Sequence, residues 1–163
     1  MNQSEATTGP AGSWLGAIRQ YLLLSLSGHL IWEIIQTPLY TIFWTAPPKT
    51  IAFAIMHCTG GDMLIAISSL VLALLVGANE DWPLERRVYL RVGTIAISSG
   101  LLYTVFSEWF NTTVRHTWSY TTAMPVIPVL EVGLTPLLQW VVVPFFAFGT
   151  AARRVRSSTH IHY

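Results

Sequence analysis

Apolar residues run through the chain in four long stretches separated by short polar segments. The stretches cover about residues 14–44, 51–76, 88–110 and 126–150. Each is close to or above the ~20 residues that a helix needs to cross a hydrocarbon layer of ~30 Å. The pattern predicts an all-α fold: a polytopic membrane protein in which four transmembrane helices form a bundle.

The connecting segments leave little room for a domain outside the membrane. With 163 residues, the chain is long enough for one domain and short for two. We predict a single four-helix membrane domain over residues 1–163, with flexible polar tails at 1–13 and 153–163. Residues 1–13 hold no positively charged region ahead of the apolar run, so we expect the first helix to remain in the mature protein.

The composition fits a surface that lipid covers. Hydrophobic residues make up 52% of the chain and charged residues only 10%, against about 25% in a typical soluble domain. The net charge of +1, with no basic stripe, argues against a nucleic-acid partner. Cys58 is the only cysteine, which excludes an intramolecular disulfide and a CxxC site.

Basic residues are unevenly divided between the two sides of the predicted bundle. Cytoplasmic segments of membrane proteins carry an excess of Lys and Arg, so we place both termini in the cytoplasm. That side then holds Arg19, Arg86, Arg87, Arg91, Arg153, Arg154 and Arg156, and the outer side only Lys49 and Arg115. The short loops favour a bacterial inner (plasma) membrane.

Polar residues on the first predicted helix share one face. His29, Glu33, Gln36 and Tyr40 are spaced by four, three and four residues. At about 100° per residue they fall within a stripe about 60° wide. Ionisable residues inside a span are costly, about 2.5–3.5 kcal/mol each at the helix centre, and persist when they face the bundle interior.

The topology brings polar residues of the other helices to the same leaflet. His57 and Asp62 lie in the outer half of the second helix, Glu108 near the outer end of the third, and Glu131 on the fourth. The inner halves of the second and fourth helices hold no ionisable residue. This asymmetry predicts a pocket that opens to the outer side and that Trp32 and Trp140 also line.

The alternative is a purely structural role, in which these polar side chains hold helices together through hydrogen bonds. It suits Gln36 and Gln139 best. A buried carboxyl with no Lys or Arg at its depth must be protonated, paired with His, or bound to a metal. His29, Glu33 and Asp62 therefore point to function.

Carboxyl groups and a histidine in a low-dielectric pocket can supply one acid and one base. Such a site suits proton transfer on an apolar, lipid-like molecule, for example the shift of a double bond in an isoprenoid. We predict that His29 and Glu33 carry protons, and that Asp62 and Glu131 orient them or balance charge. Tryptophan ring faces would stabilise a carbocation.

Two short patterns resemble the EXPERA, or emopamil-binding, family of four-helix membrane proteins, some of which are sterol isomerases. One is His29-Leu30-Ile31-Trp32-Glu33, and the other is the acidic Glu108 near the outer end of a later helix. The resemblance implies that His29 and Glu33 form a proton-transfer pair, assisted by Glu108 or Asp62. The segment His57-Cys58-Thr59-Gly60-Gly61-Asp62 has no counterpart in that resemblance.

Two other function classes stay open from the residues alone. His29, Glu33, His57 and Asp62 supply imidazole and carboxylate ligands suited to a metal ion, and the two histidines would suit haem if they lay at one depth. The second class is a non-catalytic accessory subunit, which would bind a membrane-protein partner or a second copy of this chain. The sequence names no cofactor.

Overall fold

Four long helices and one short helix account for most of the chain. The structure, a computed structural model, describes residues 10–160 and the side chains of residues 14–153. The long helices are α1 (Pro10–Gln36), α3 (Pro48–Gly77), α4 (Arg86–Trp109) and α5 (Leu134–His160), and the short helix α2 (Ile42–Thr45) joins α1 to α3. The predicted all-α class is therefore confirmed.

Among the described residues, three helical segments are long and apolar enough to cross a membrane. They are Pro48–Gly77, Arg86–Val114 and Leu134–Arg153. The chain is thus compatible with an integral membrane protein. The first predicted span, α1, is not among these segments, because polar residues such as Ser25, His29 and Glu33 interrupt its apolar sequence.

The long helices form a ring in which α1 packs against α3 and α5, and α4 also packs against α3 and α5. Two contacts fix the directions of α1 and α5. Near the end of α1, Gln36 Nε2 donates to Gln139 Oε1 near the start of α5, at 3.0 Å. Several helical turns closer to the start of α1, Tyr21 reaches Phe148, with ring centroids 4.3 Å apart. The two helices are therefore antiparallel.

Each end of the bundle has its own aromatic cluster. At one end, Trp14 and Trp82 meet edge to face with ring centroids 4.6 Å apart; we call this the tryptophan end. Arg91 Nε there donates to the Gly77 carbonyl at 2.7 Å, which satisfies a free acceptor at the end of α3. At the opposite end, Tyr40 and Tyr120 lie together with ring centroids 5.4 Å apart; we call this the tyrosine end.

Two predicted helix boundaries are wrong. The stretch 14–44 is not one helix, because α1 ends at Gln36, a 3₁₀ turn covers Thr37–Leu39, and Pro38 lacks the N–H that would continue the α-helix. The stretch 126–150 is not all helical either. Its first part forms an antiparallel hairpin of β1 (Val126–Ile127) and β2 (Val132–Gly133), and α5 begins only afterwards.

The other boundaries differ less. Helix α4 continues into a π-helical turn over Phe110–Val114. Helix α1 begins at Pro10 and α5 runs to His160, so both enter the segments that we predicted as polar tails. The rest of those tails, residues 1–9 and 161–163, lies outside the described residues.

Candidate functional site

A cavity of about 590 Å³ lies at the tyrosine end, between the four long helices. Each of these helices contributes a polar side chain to it: Glu33 from α1, Asp62 from α3, Glu108 from α4 and Gln139 from α5. Apolar and aromatic side chains form much of its wall, namely Phe53, Ala54, Ile55, Ile65, Trp118 and Trp140. The volume falls in the range of about 300–1,000 Å³ that is typical of small-molecule sites.

The cavity has an open side between α3 and the segment that follows α4. Exposed residues of its lining mark this side: Phe53, whose side chain is 70% exposed, His57 and Arg115. His57 stacks on Phe53 with ring centroids 5.7 Å apart. The carboxyl-bearing residues lie deeper, since Glu33 and Glu108 are each only 8% exposed.

Gln139 joins polar groups of three helices through one amide. Its Nε2 donates to Asp62 Oδ2 at 2.8 Å and lies 2.9 Å from His29 Nδ1. Its Oε1 accepts from Gln36 Nε2, which also donates to Glu33 Oε1 at 2.7 Å. Because the amide donates to Nδ1, the imidazole of His29 is neutral and carries its proton on Nε2.

Glu33 and Asp62 form a carboxyl pair at the centre of this network. Both side chains line the cavity, and both belong to the hydrogen-bond network of Gln36 and Gln139. Trp140 Nε1 donates to Asp62 Oδ1 at 3.3 Å, and His29 Nδ1 lies 3.6 Å from Asp62 Oδ2. Two neighbouring carboxylates at low dielectric repel each other strongly, so we expect the pair to hold one proton between them. The arrangement places an acid and a base side by side.

A glycine positions the tryptophan that binds Asp62. A Cβ at Gly100 of α4 would lie 2.3 Å from the indole ring of Trp140, a distance that no real contact allows. The indole therefore rests directly on the α4 backbone, and its other neighbour is the His29 ring, with centroids 5.0 Å apart. Held between two helices, Trp140 is 1% exposed.

Glu108 occupies a second polar position, under the loops of the tyrosine end. The Tyr120 hydroxyl donates to Glu108 Oε2 at 2.5 Å and accepts from the Gly133 amide at 3.0 Å. Burial raises the pKa of the Tyr120 hydroxyl above its ordinary value, and the neighbouring Glu108 carboxylate raises it further. Tyr120 therefore stays protonated and remains a donor. The Tyr40 hydroxyl faces the same carboxyl.

Backbone pairing holds these two tyrosines in place. Tyr40 and Tyr120 form an isolated antiparallel bridge. On its two sides, Thr41 N donates to the Ser119 carbonyl and Thr121 N to the Leu39 carbonyl, each at 2.9 Å. The segment after α1 and the segment after α4 are thus joined across the end of the bundle, above the cavity.

The structure brings together most of the side chains that the sequence singled out. Seven of the ten predicted site residues line the cavity. His57 lies at its open side, and the other six lie deeper: Glu33, Gln36, Tyr40, Asp62, Glu108 and Trp140. His29 stands behind Asp62, outside the lining, and is 0% exposed. Trp32 also lies outside the lining, and its Nε1 donates to Gln36 Oε1 at 3.1 Å.

Glu131 does not join the site, which corrects its predicted place on the fourth helix. It is exposed and lies in the turn between β1 and β2, with a φ of 54°. Its amide donates to the Ile127 carbonyl at 2.8 Å. This turn precedes α5, so Glu131 lies in an exposed loop and not on a helix face.

The alternative metal or haem site finds no support in the geometry. Among the residues that the structure describes, no three His, Cys, Asp or Glu side chains stand close enough to hold one ion. His29 is buried with Nδ1 engaged by Gln139, while His57 lies exposed beside Phe53. The two histidines do not face a common centre.

Sequence reasoning missed Gln139 and Tyr120. Gln139 had a usable signal, since it lies beside Trp140 in an otherwise apolar helix, but a buried glutamine also suits simple helix association. Tyr120 had none. Its place depends on the pairing of two loops that are about 80 residues apart.

Comparisons with family models, with curated proteins and with solved structures find no match to this chain. The EXPERA resemblance therefore stays a prediction from the two sequence patterns. The geometry of the cavity is the firmer basis for inferring a function.

Proposed function

We propose that this protein spans the membrane with four helices and binds a hydrophobic, lipid-like molecule in the cavity, where it moves protons on that molecule. The observation that carries the proposal is the carboxyl pair of Glu33 and Asp62, set in a cavity of about 590 Å³ with an apolar and aromatic wall. Apolar walls bind a ligand by removing its surface from water, and a few polar groups orient it.

The surface of α1 supports a fourth span. Its outward side chains are apolar, including Leu15, Leu23, Ile31, Ile34 and Ile35, which are 69%, 51%, 57%, 54% and 71% exposed. Its polar residues Ser25, His29, Glu33 and Gln36 are turned inward. A contiguous apolar surface of this kind is rare on soluble monomers, and lipid is its natural neighbour.

The positive-inside rule then orients the bundle. The exposed arginines Arg86, Arg87, Arg91 and Arg153 belong to the tryptophan end, so we assign that end to the cytoplasm. The cavity opens at the other end, toward the outer leaflet. A bacterial inner membrane suits this arrangement.

The acid–base step uses the shared proton of the carboxyl pair. The protonated member gives its proton to one carbon of a ligand double bond, which leaves the positive charge on the other carbon of that bond. The ionised member then takes a proton from the next carbon beyond the charged one. The double bond moves by one position and the pair regains its proton, so no other reactant is needed. The EXPERA resemblance favours the same class of reaction.

The test compares lipids extracted from cells that express the wild type and Glu33→Gln. The wild type should enrich an isomer of unchanged mass and altered chromatographic retention, and Glu33→Gln should not, because the amide cannot exchange the proton. Glu80→Gln, in the exposed loop before α4, is the matched control and should behave as the wild type. Identical extracts from wild type, Glu33→Gln and empty cells would refute the acid–base step.

A further inference from the structure

Buried polar side chains continue along α1 beyond the cavity. Tyr21, Ser25, His29 and Glu33 follow one another every four residues, and they are 2%, 0%, 0% and 8% exposed. Tyr21, Ser25 and His29 do not belong to the cavity lining, so the bound ligand does not explain them. Polar groups at membrane depth are costly and commonly mark ion or proton pathways.

Two atoms of this stripe have no direct partner. Among the described residues, Ser25 Oγ and His29 Nε2 are both buried without a hydrogen bond. The Tyr21 side chain faces Ser25, one turn away. Leaving a buried polar atom without a partner is costly, so Ser25 Oγ and His29 Nε2 are positions where a bridging water would bind.

The spacing of the stripe suits bridging water. Four residues of helix advance about 6 Å, which is about the length of two hydrogen bonds placed end to end. One water between successive groups would therefore connect them, and buried waters commonly satisfy otherwise unpaired polar atoms.

We propose that this stripe, which we call the α1 polar stripe (Tyr21, Ser25, His29 and Glu33), conducts protons between the carboxyl pair and the tryptophan end. From Tyr21 to Glu33 the stripe extends about 18 Å at the rise of an α-helix, more than half of the ~30 Å of a hydrocarbon core. The proposal rests on the membrane placement and the carboxyl pair of the proposed function, and not on any ligand.

His29 is the exchange point. The proton of Asp62 moves to His29 Nδ1 across 3.6 Å, and the Nε2 proton leaves to the water beside Ser25. The ring stays neutral and is left with its proton on Nδ1. After the ring rotates, Nε2 takes the next proton from Asp62 and Nδ1 releases its own to the water, which restores the first tautomer. Gln139 and Trp140 of α5 and Asp62 of α3 are the polar groups that face the imidazole.

At the other end, Ser25 and Tyr21 each accept one proton and donate another. The Tyr21 ring packs on Phe148, whose carbonyl accepts a 2.7 Å hydrogen bond from Tyr89. Tyr89 lies one turn into α4 from Arg86, at the basic side of the bundle. The polar groups thus approach the aqueous boundary at the tryptophan end.

The test measures proton flux into vesicles that hold the full chain and a pH-sensitive dye, driven by a potassium diffusion potential. Ser25→Thr and Ser25→Val have side chains of nearly equal size, and only Thr keeps a hydroxyl. Wild type and Ser25→Thr should conduct well above protein-free vesicles, and Ser25→Val about tenfold more slowly, since one hydrogen-bonded link is lost. Ser27→Val, on the exposed side of the same helix, should match the wild type.

Two results would overturn the path: flux through the wild type no faster than through protein-free vesicles, or equal flux for Ser25→Thr and Ser25→Val. Measuring the lipid bound in the same preparations distinguishes failure of the proton path from failure of the proposed function. Ser25 does not line the cavity, so its substitution should leave lipid binding unchanged. If lipid is bound but no proton flux is seen, only the proton path is refuted. If flux is seen but no lipid is bound, only the proposed lipid-like ligand is refuted.

Discussion

Among individual residues, hydrogen bonds from neutral side chains hold the ionisable groups of the site in place. One amide, that of Gln139, contacts His29, Gln36 and Asp62. Its donor and acceptor ends fix which nitrogen of His29 carries a proton and which oxygen of Asp62 is occupied. Tyr120 does the same for Glu108, with a hydroxyl that donates to the carboxyl and accepts from the Gly133 amide.

Tyr120→Phe removes both of these hydrogen bonds and should destabilise the protein by about 1–3 kcal/mol, the usual effect of leaving buried polar groups without a partner. The raised pKa of Tyr120 determines the pH range over which the Tyr120 hydroxyl stabilises the fold. A hydroxyl whose pKa is higher in the folded state contributes its full stability below its unfolded pKa of about 10 and loses it as pH rises further. Thermal unfolding in detergent, from neutral pH to above pH 10, measures both effects.

Tyr103→Phe is the control for this substitution, because Tyr103 is 53% exposed. It should unfold as the wild type does near neutral pH. If Tyr120→Phe also unfolded at the wild-type temperature near neutral pH, the hydroxyl would have no structural role.

The sequence predicted many of the site residues, for a physical reason. A carboxyl group such as Glu33 or Asp62 inside an apolar stretch is so costly that it must face a partner or a function. Gln139 carries no charge, so its burial gave a weaker signal. The partner of Glu108, Tyr120, is set by long-range pairing of loops that no local pattern contains.

Between the secondary-structure elements, close approach of helices shapes the cavity. Gly100 lets the Trp140 indole rest on the backbone of α4. Gly28 does the same for Val143, since a Cβ there would lie 2.7 Å from a methyl group of that residue. The contacts of α5 with its neighbours therefore depend on glycines in the facing helices.

Gly100→Ala should push the Trp140 indole away from α4 and loosen its hydrogen bond to Asp62. We expect destabilisation of about 1–3 kcal/mol, typical of overpacking a buried site, and a shift in tryptophan emission. Gly93→Ala on the same helix is the matched control, because a Cβ there would meet Phe148 only at an ordinary 3.7 Å. Equal unfolding temperatures for the two variants would show that Gly100 is not needed for this packing.

The apolar pattern located the helices better than it located their ends. The hairpin of β1 and β2 was missed because residues 126–133 are mostly apolar and merge with the start of α5 in the sequence. Short apolar runs do not distinguish strand from helix. The break after Gln36 had a local signal in Pro38, whose missing N–H weakens a helix, but the pattern of apolar residues continued through it.

For the molecule as a whole, the proposed function requires α1 to cross the membrane together with the other three long helices. Three segments have the length and hydropathy for this on their own. Helix α1 has polar residues on its buried face and large apolar residues on its outward face, so its hydropathy averages two different surfaces.

Single cysteines in a Cys58→Ala background test this topology. Lys49→Cys and Thr122→Cys, both at exposed positions near the tyrosine end, should react in intact cells with a maleimide that does not cross membranes. Glu80→Cys should react with the maleimide, and an epitope tag placed before Met1 should bind its antibody, only after the membrane is permeabilised. Reaction of Lys49→Cys and the tag from the same side would show that α1 does not span.

The proposed function depends above all on an apolar molecule in the cavity, and native mass spectrometry of the protein released gently from detergent is its sharpest test. We predict an added mass of a few hundred daltons, as a cavity of this size allows. Gly61→Leu should lose it, because Gly61 lines the cavity and a Cβ there meets open space. Gly60→Leu, exposed and outside the lining, should keep it. A bare chain in all three proteins, or the discrete mass of a metal ion or haem, would contradict the proposal.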